Sequence, residues 1–125
     1  MTLQLPPLSG PVLTADAEVA GTVITSRLRG TADTEVKPEL DVYIHALHDE
    51  ACRVNATKIQ VDLRELEFMN SSSFKVFVTW LARVRERPAE QQYRIHFLSN
   101  PSMHWQRRSL AALSCFAVNL VTIET

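Results

Sequence analysis

Three consecutive serines, Ser71 to Ser73, are the residues in this sequence with the clearest chemical potential. They follow Asn70 at the end of a strand-like apolar segment, and an apolar run with helical period comes directly after them. Short polar side chains in this position accept hydrogen bonds from the free N–H groups of a helix start. Because the helix dipole is positive at that end, a phosphate there would be stabilised. The segment therefore predicts an anion-binding or phosphorylatable turn.

A second set of polar residues shares one face of a predicted helix. Asp41, His45, His48 and Cys52 are spaced by four, three and four residues, which aligns them along the helix. Each of them can bind zinc or copper, but one helix alone cannot surround a metal ion tetrahedrally. We therefore interpret this set as a solvated flank of the helix, and we expect no metal site.

Two carboxylates, Asp33 and Asp62, lie near predicted strand ends. A general acid–base pair would also need a pocket and a nucleophile, and no histidine base follows at a recognisable spacing. We interpret Asp33 as a turn or cap residue and Asp62 as a strand-end residue that holds backbone groups. The sequence also lacks a phosphate-cradling glycine loop, a dinucleotide fingerprint and a nucleophile elbow. We expect neither enzymatic activity nor a cofactor.

The strands that position these residues are predicted from alternating and β-branched residues. Two early strands, at residues 12–18 and 22–29, are joined by a turn at Ala20 and Gly21. Later strands are predicted at residues 59–63, 93–98 and 118–123, and a short apolar run at residues 66–69 precedes the serines. Residues 1–11 contain three prolines and a glycine, and this composition predicts a flexible arm without a regular element.

Helices are predicted between the later strands. The first has apolar residues at spacings of three and four from Leu40 to Val54, and Asn55 helps to close it. The second begins at the serines, and Val76 and Trp80 widen its apolar arc, which fits core burial better than a partner surface. The third begins at Asn100 as a cap, with Pro101 in the first helical position. Tryptophans are favoured interface anchors, so a partner contact is considered for Trp80 and for Trp105.

The stretch from Asp62 to Leu81 resembles the central signature of STAS domains, the sulfate transporter and anti-sigma factor antagonist fold. In that signature a strand runs into Asp-Leu-Ser, and after a few residues Asp-Ser-Ser-Gly begins a helix. Here Asp62-Leu63-Arg64 stands at the first position and Asn70-Ser71-Ser72-Ser73 at the second. The stretch from Gly30 to Asp33 resembles the Gly-x-x-Asp that ends an early strand in the same family. The resemblance covers about residues 12–124.

The resemblance implies a fold and a site. The fold is α/β, a STAS-like mixed β-sheet with helices packed mainly on one face, in one domain over residues 12–125 after the arm at residues 1–11. In anti-sigma factor antagonists a partner serine kinase phosphorylates the serine directly after the Asp, which corresponds to Ser71. The residues expected to face the partner are Asp33, Asn70, Ser71, Ser72, Ser73, Lys75, Val76 and Trp80.

Two positions of this sequence differ from the family pattern. Asn70 stands where the family has Asp, and it keeps the capping ability while losing the charge. Ser73 stands where the family has Gly, and it adds bulk at a position where a partner needs close backbone approach. The expected fold is compatible with both changes, whereas a phosphorylation switch depends on how they affect the turn.

Composition limits which classes of protein and which partners fit this sequence. The 125 residues suit one domain with a single core, and 46% of them are hydrophobic. The formal net charge of -1 gives no indication of nucleic acid or of an anionic membrane as partner. No apolar run approaches the roughly 20 residues of a membrane span, and no signal peptide is recognisable. Two cysteines without metal or disulfide spacing fit a reducing compartment, so we expect a cytoplasmic protein.

Three functions remain open on the sequence. The leading hypothesis is a regulatory module, similar to anti-sigma factor antagonists, that binds a serine-kinase anti-sigma factor or a related regulator and is switched at Ser71. The second is a STAS subunit without phosphorylation control that acts as a structural partner in a transport or signalling complex, as the residues at Asn70 and Ser73 suggest. The third is a small-ligand or nucleotide-binding domain, which requires a pocket.

Overall fold

A single six-stranded sheet is the frame of the computed structural model, which describes residues 3–125. The strands lie side by side in chain order and are β1 Leu8–Ser9, β2 Leu13–Ala20, β3 Val23–Ala32, β4 Lys58–Met69, β5 Arg94–Leu98 and β6 Val121–Glu124. The first three pair antiparallel, whereas β3 through β6 pair parallel. The predicted mixed sheet is confirmed.

One α-helix lies in each connection between the parallel strands, and the connection from β4 to β5 also contains a 3-10 helix at Ala89–Gln91. The helices are α1 Lys37–Arg53, α2 Ser71–Arg85 and α3 His104–Phe116. Because β3 to β6 follow one another in a single direction, crossovers of the same hand place all three helices on one face of the sheet. In agreement, α2 contacts both α1 and α3. The predicted packing of helices on one face is confirmed.

The core lies between these helices and the sheet. Trp80, Tyr93, Phe77 and Phe97 are among its largest fully buried side chains. The ring of Phe77 lies 6.1 Å from that of Trp80 and 6.2 Å from that of Phe97 between centroids. Such tilted and edge-on pairs add to the free energy gained by burying apolar area. Within residues 3–125, no helix is both long enough and apolar enough to cross a membrane.

Gly30 of β3 allows the backbone at Val12, just before β2, to approach closely. Its φ is 104°, and a Cβ at this position would lie 2.1 Å from the backbone oxygen of Val12. The pairing of β3 with β4 is irregular here, with a register shift between Gly30 and Thr31. Only glycine fits this conformation and spacing. The shift carries the end of β3 to Ala32, opposite Met69 at the end of β4.

The predicted boundaries of the last two elements are wrong. Asn100 does not cap α3, since its Oδ1 accepts from Ser102 N at 2.9 Å and its Nδ2 donates to the backbone oxygen of Arg64. The helix begins only at His104. The predicted strand at residues 118–123 begins instead at Val121, because Leu120 N donates to Ala117 O in a turn that follows the helix.

The N-terminal segment contains a short strand that its composition did not predict. Leu8 and Ser9 form β1 and pair with Ala15 and Thr14 of β2. Leu3, Leu5 and Leu8 also pack against the core. Residues 1 and 2 lie outside the described part of the chain. The flexibility of the arm at residues 1–11 and the domain boundary at residue 12 stay predictions.

Candidate functional site

The predicted site residues meet where β3 and β4 end. Parallel strands place their carboxyl ends at the same edge of a sheet, and Ala32 and Met69 are paired at this edge. Asn70 N then donates to Ala32 O at 3.0 Å. This bond holds the loop that begins at Asp33 beside the turn that begins α2. The structure therefore brings together the two sequence motifs, which are separated by about 40 residues of chain.

Asn70 organises this turn with both ends of its amide. Its Oδ1 accepts from Ser73 N at 2.9 Å, which confirms the predicted helix cap. Its Nδ2 donates to Thr34 Oγ1 at 2.7 Å, in the loop after β3. An ionised aspartate could accept the first bond but could not donate the second. Asn70 therefore ties α2 to the neighbouring loop as a donor and without a negative charge, whereas an aspartate would have to accept from the Thr34 hydroxyl.

Ser73 is part of the core and not of the surface. Its side chain is fully buried, and its hydroxyl donates to the backbone oxygen of Asp33 at 3.1 Å. The expectation that Ser73 adds bulk on the partner-facing side is therefore wrong. The hydroxyl instead adds a second bond between α2 and the loop after β3.

Ser71 is the exposed hydroxyl of the site. It is the first residue of α2, and within residues 3–125 its Oγ takes part in no hydrogen bond. Ser72 beside it is half-buried, and Lys75 is exposed one helical turn further on. Because residues four apart share a helix face, Ser71 and Lys75 point the same way. The Ser71 hydroxyl is thus accessible at the surface of the protein.

Asp33 has the turn role predicted for it. It is half-buried, and its Oδ1 accepts from Glu35 N at 3.0 Å and from Val36 N at 3.2 Å. These bonds shape the loop that precedes α1. We call the accessible part of this end of the sheet the serine edge, and it comprises Asp33, Thr34, Asn70, Ser71, Ser72 and Lys75.

Asp62 lies away from the serine edge, in the middle of β4. It is buried, and its carboxylate accepts from the backbone N of Arg64 at 3.1 Å and from the Arg64 guanidinium at 3.0 and 2.8 Å. The hydrogen bond from Arg64 holds the pKa of the Asp62 carboxyl below its usual value. Asp62 holds a backbone group, as predicted, but the predicted position at a strand end is wrong because β4 continues to Met69.

Val76 and Trp80 face the core and are removed from the predicted partner-facing set. Their side chains are 3% and 2% exposed. The indole Nε1 of Trp80 donates to the Tyr93 hydroxyl at 2.6 Å. A wide apolar arc on α2 is needed because this helix lies between α1 and α3 over the sheet. Trp105 is half-buried against the core, and its Nε1 is buried without a hydrogen-bond partner among residues 3–125.

The polar stripe on α1 is divided between solvent and core. Asp41 and His45 are exposed as predicted, but His48 is 5% exposed, so the prediction of a solvated flank is wrong for His48. Its Nδ1 lies 2.6 Å from the Tyr93 hydroxyl, and Cys52 Sγ lies 3.7 Å from its Nε2. Within the described chain, no group of three or more histidine, cysteine or carboxylate side chains is placed to hold a metal ion.

Burial determines the protonation of His48. The pKa of His48 is lowered to about 4. Burial away from water is the largest cause, and the positive charge of Arg83 is the second. The Tyr93 oxygen accepts from Trp80, so its own proton can be donated to Nδ1 of a neutral imidazole. Sequence reasoning missed this network, because its members come from α1, α2 and the loop before β5.

Phe68, near the serine edge, is a further residue that the sequence analysis did not identify as a candidate. It lies on β4, opposite Thr31 and two residues before Asn70. It belongs to the short apolar run at residues 66–69, and it is 46% exposed. The signal in the sequence is that Phe68 and Met69 are adjacent apolar residues, of which strict alternation would place only one in the core.

Comparison with known proteins identifies the fold. No protein-family model and no curated protein matches the sequence. A solved anti-sigma factor antagonist from Mycobacterium paratuberculosis has 19% sequence identity and a TM-score of 0.64, with 86% of each chain covered. The anti-sigma factor antagonist SpoIIAA in its unphosphorylated form has 20% identity and a TM-score of 0.54, over 89% of this chain and 88% of that chain.

A third solved structure is the Bacillus cell fate determinant SpoIIAA in its phosphorylated form. It has 19% identity and a TM-score of 0.54, over 89% of this chain and 91% of that chain. Each of the three structures matches more than four fifths of this chain with a TM-score above 0.5. The chain thus has the STAS fold of anti-sigma factor antagonists.

Proposed function

We propose that this protein is a regulatory binding module that docks a protein partner on the serine edge. The partner is a serine-kinase anti-sigma factor or a related regulator, and the setting is transcription regulation in the cytoplasm. Phosphorylation of Ser71 by that partner lowers the affinity of the complex. The fold of anti-sigma factor antagonists supports the class of function, and the serine edge supports the choice of Ser71.

The observation that carries this proposal is the position of the Ser71 hydroxyl. It is exposed, it takes part in no hydrogen bond within the described chain, and it sits on the first residue of a helix. The Asn70 cap and the buried Ser73 fix the backbone around it. A kinase therefore meets an accessible acceptor on a rigid support. The phosphorylated form of SpoIIAA is one of the structures with this fold, which also supports the proposal.

Electrostatics explains how the modification acts on the partner while the fold is retained. A phosphoryl group adds about 1.5 to 2 negative charges and three acceptor oxygens. At a helix N-terminus the dipole stabilises a negative charge by about 0.3–1 kcal/mol, so the protein itself tolerates the group. The complex does not, since burying the new charge against a partner without matched donors costs several kcal/mol.

Kinase treatment followed by mass spectrometry tests the proposal. The protein is incubated with a serine-kinase anti-sigma factor of the same organism and Mg-ATP, and the modified peptide is sequenced. We expect one phosphoryl group on Ser71 in the wild type and none on a Ser71→Ala variant. Ser72→Ala is the matched control and is expected to be modified as the wild type is. An unmodified Ser71 peptide under these conditions would overturn the proposed switch.

A second candidate function is favoured by the bonds of Asn70. Its amide links α2 to Thr34 through a donor that an aspartate lacks, so the turn is built without the negative charge of the family pattern. This arrangement suits a STAS subunit that has lost phosphorylation control and serves as a structural partner in a complex. Under this alternative, Ser71→Ala and Ser71→Asp bind the partner with wild-type affinity. A loss of affinity confined to Ser71→Asp would exclude it.

A further inference from the structure

We infer that Phe68 is the apolar anchor of the serine edge and that the partner presents an apolar pocket for its ring. This inference rests on the proposed function and names the kind of surface that the partner must offer. Phe68 is three residues before Ser71 and leaves 46% of its side chain in water. An aromatic ring so exposed gains free energy when a partner covers it.

The end of β4 projects from the sheet and carries Phe68 with it. The pairing of β4 with β5 ends at Asp62 and Leu98, so residues 63–69 of β4 continue beyond β5. Gln106 replaces the missing strand for two of these residues, since its Nε2 donates to Leu63 O at 2.6 Å and to Leu66 O at 3.0 Å. Beyond Leu66, the only strand that borders β4 in the described chain is β3.

The end of β4 places an exposed apolar residue three residues before the Ser71 hydroxyl along the chain. Asn70 and Ser71 come after Phe68 and the buried Met69, and Lys75 lies one turn into the helix. Interfaces have this composition, with an aromatic residue at the buried centre and polar groups around it. The neighbourhood also gives the phosphoryl group a way to act. A pocket that excludes water around Phe68 makes a new charge on Ser71 costly to desolvate.

The chain offers a matched control at its other end. Phe116 is 40% exposed and is the last residue of α3. Since the helices run antiparallel to β3–β6, the end of α3 lies at the opposite edge of the sheet from Ser71. The guanidinium of Arg85 lies 5.2 Å from the centre of the Phe116 ring. An equal truncation at Phe116 therefore removes a similar exposed ring away from the serine edge.

Binding of Phe68→Ala and Phe116→Ala to the kinase of the proposed function tests the inference by calorimetry. We expect Phe68→Ala to weaken binding by about 30-fold, the size of a hot-spot residue, and Phe116→Ala to change it less than about twofold. Thermal unfolding and circular dichroism of both variants check that the fold is intact. Wild-type affinity of Phe68→Ala, or equal losses in both variants, would overturn the anchor. Absence of binding by the wild type would instead overturn the proposed function.

Discussion

The buried imidazole of His48 makes the stability of the fold depend on pH in a defined direction. The pKa of His48 is lowered from 6.5 to about 4 in the folded protein, chiefly by burial. Between these two values the unfolded chain binds a proton that the folded chain excludes. Stability from this group is therefore complete above the unfolded value and is lost as the pH falls toward 4.

The magnitude follows from the size of the pKa shift. Each pKa unit corresponds to about 1.4 kcal/mol, so protonation of His48 costs the folded state about 2 kcal/mol near pH 5 and about 3 kcal/mol near pH 4. A domain of this size has a total stability of about 5–15 kcal/mol. The loss is therefore large enough to measure. It is also specific to His48, whose Nδ1 is 2.6 Å from the Tyr93 hydroxyl.

Urea unfolding of wild type, His48→Asn and His104→Asn at several pH values between 8 and 5 is the assay. We expect the free energy of unfolding of the wild type to fall by about 2 kcal/mol more than that of His48→Asn over this range. His104 is exposed, so His104→Asn should follow the wild type. Equal pH dependence of wild type and His48→Asn would refute the reasoning.

Substitutions at Gly30, Gln106 and Asn70, with Gly21→Ala as a control, test the packing around the serine edge by denaturant unfolding. Gly30→Ala should lower the free energy of unfolding by at least about 3 kcal/mol, because the added Cβ meets Val12 O. Gly21 has a φ of 63° but open space around it, so Gly21→Ala should lower the free energy of unfolding by about 1 kcal/mol. Similar losses in the two variants would contradict this account. Gln106→Leu should lower the free energy of unfolding by about 2–4 kcal/mol, because two carbonyl oxygens of β4 lose their donor. An unchanged free energy of unfolding would contradict this role of Gln106. Asn70→Ala should cost about 1–2 kcal/mol and Asn70→Asp less, since aspartate keeps the acceptor for Ser73 N; the reverse order would contradict the capping role.

The features that the sequence predicted are those determined by neighbouring residues. The strand, polar turn and helix around Asn70 depend on alternation and on a cap within a few residues, and the structure confirms them. The turn at Gly21 and the end of α1 at Asn55, with its φ of 56°, have the same local origin. The resemblance of short motifs then supplied the order in which these elements pack.

The features that the sequence did not predict depend on distant partners. His48 is separated from Tyr93 by 45 residues, so periodicity on α1 could not indicate that its ring is buried against that hydroxyl. The late start of α3 has the same cause, because Asn100 is engaged with Arg64 of β4 and not with the helix. Trp80 was expected to face the partner, and the sequence could not show that its indole is buried and donates to Tyr93, 13 residues away.

The affinity of the partner for phosphorylated and unphosphorylated protein is the most direct test of the central claim. The serine-kinase partner is held without ATP, and the two forms of the wild type are titrated against it, with kinase-treated Ser71→Ala as control. We predict that phosphorylation of Ser71 weakens binding by at least about tenfold, which is about 1.4 kcal/mol, while the treated Ser71→Ala variant binds as unmodified wild type does. Equal affinity of the two wild-type forms would contradict the account.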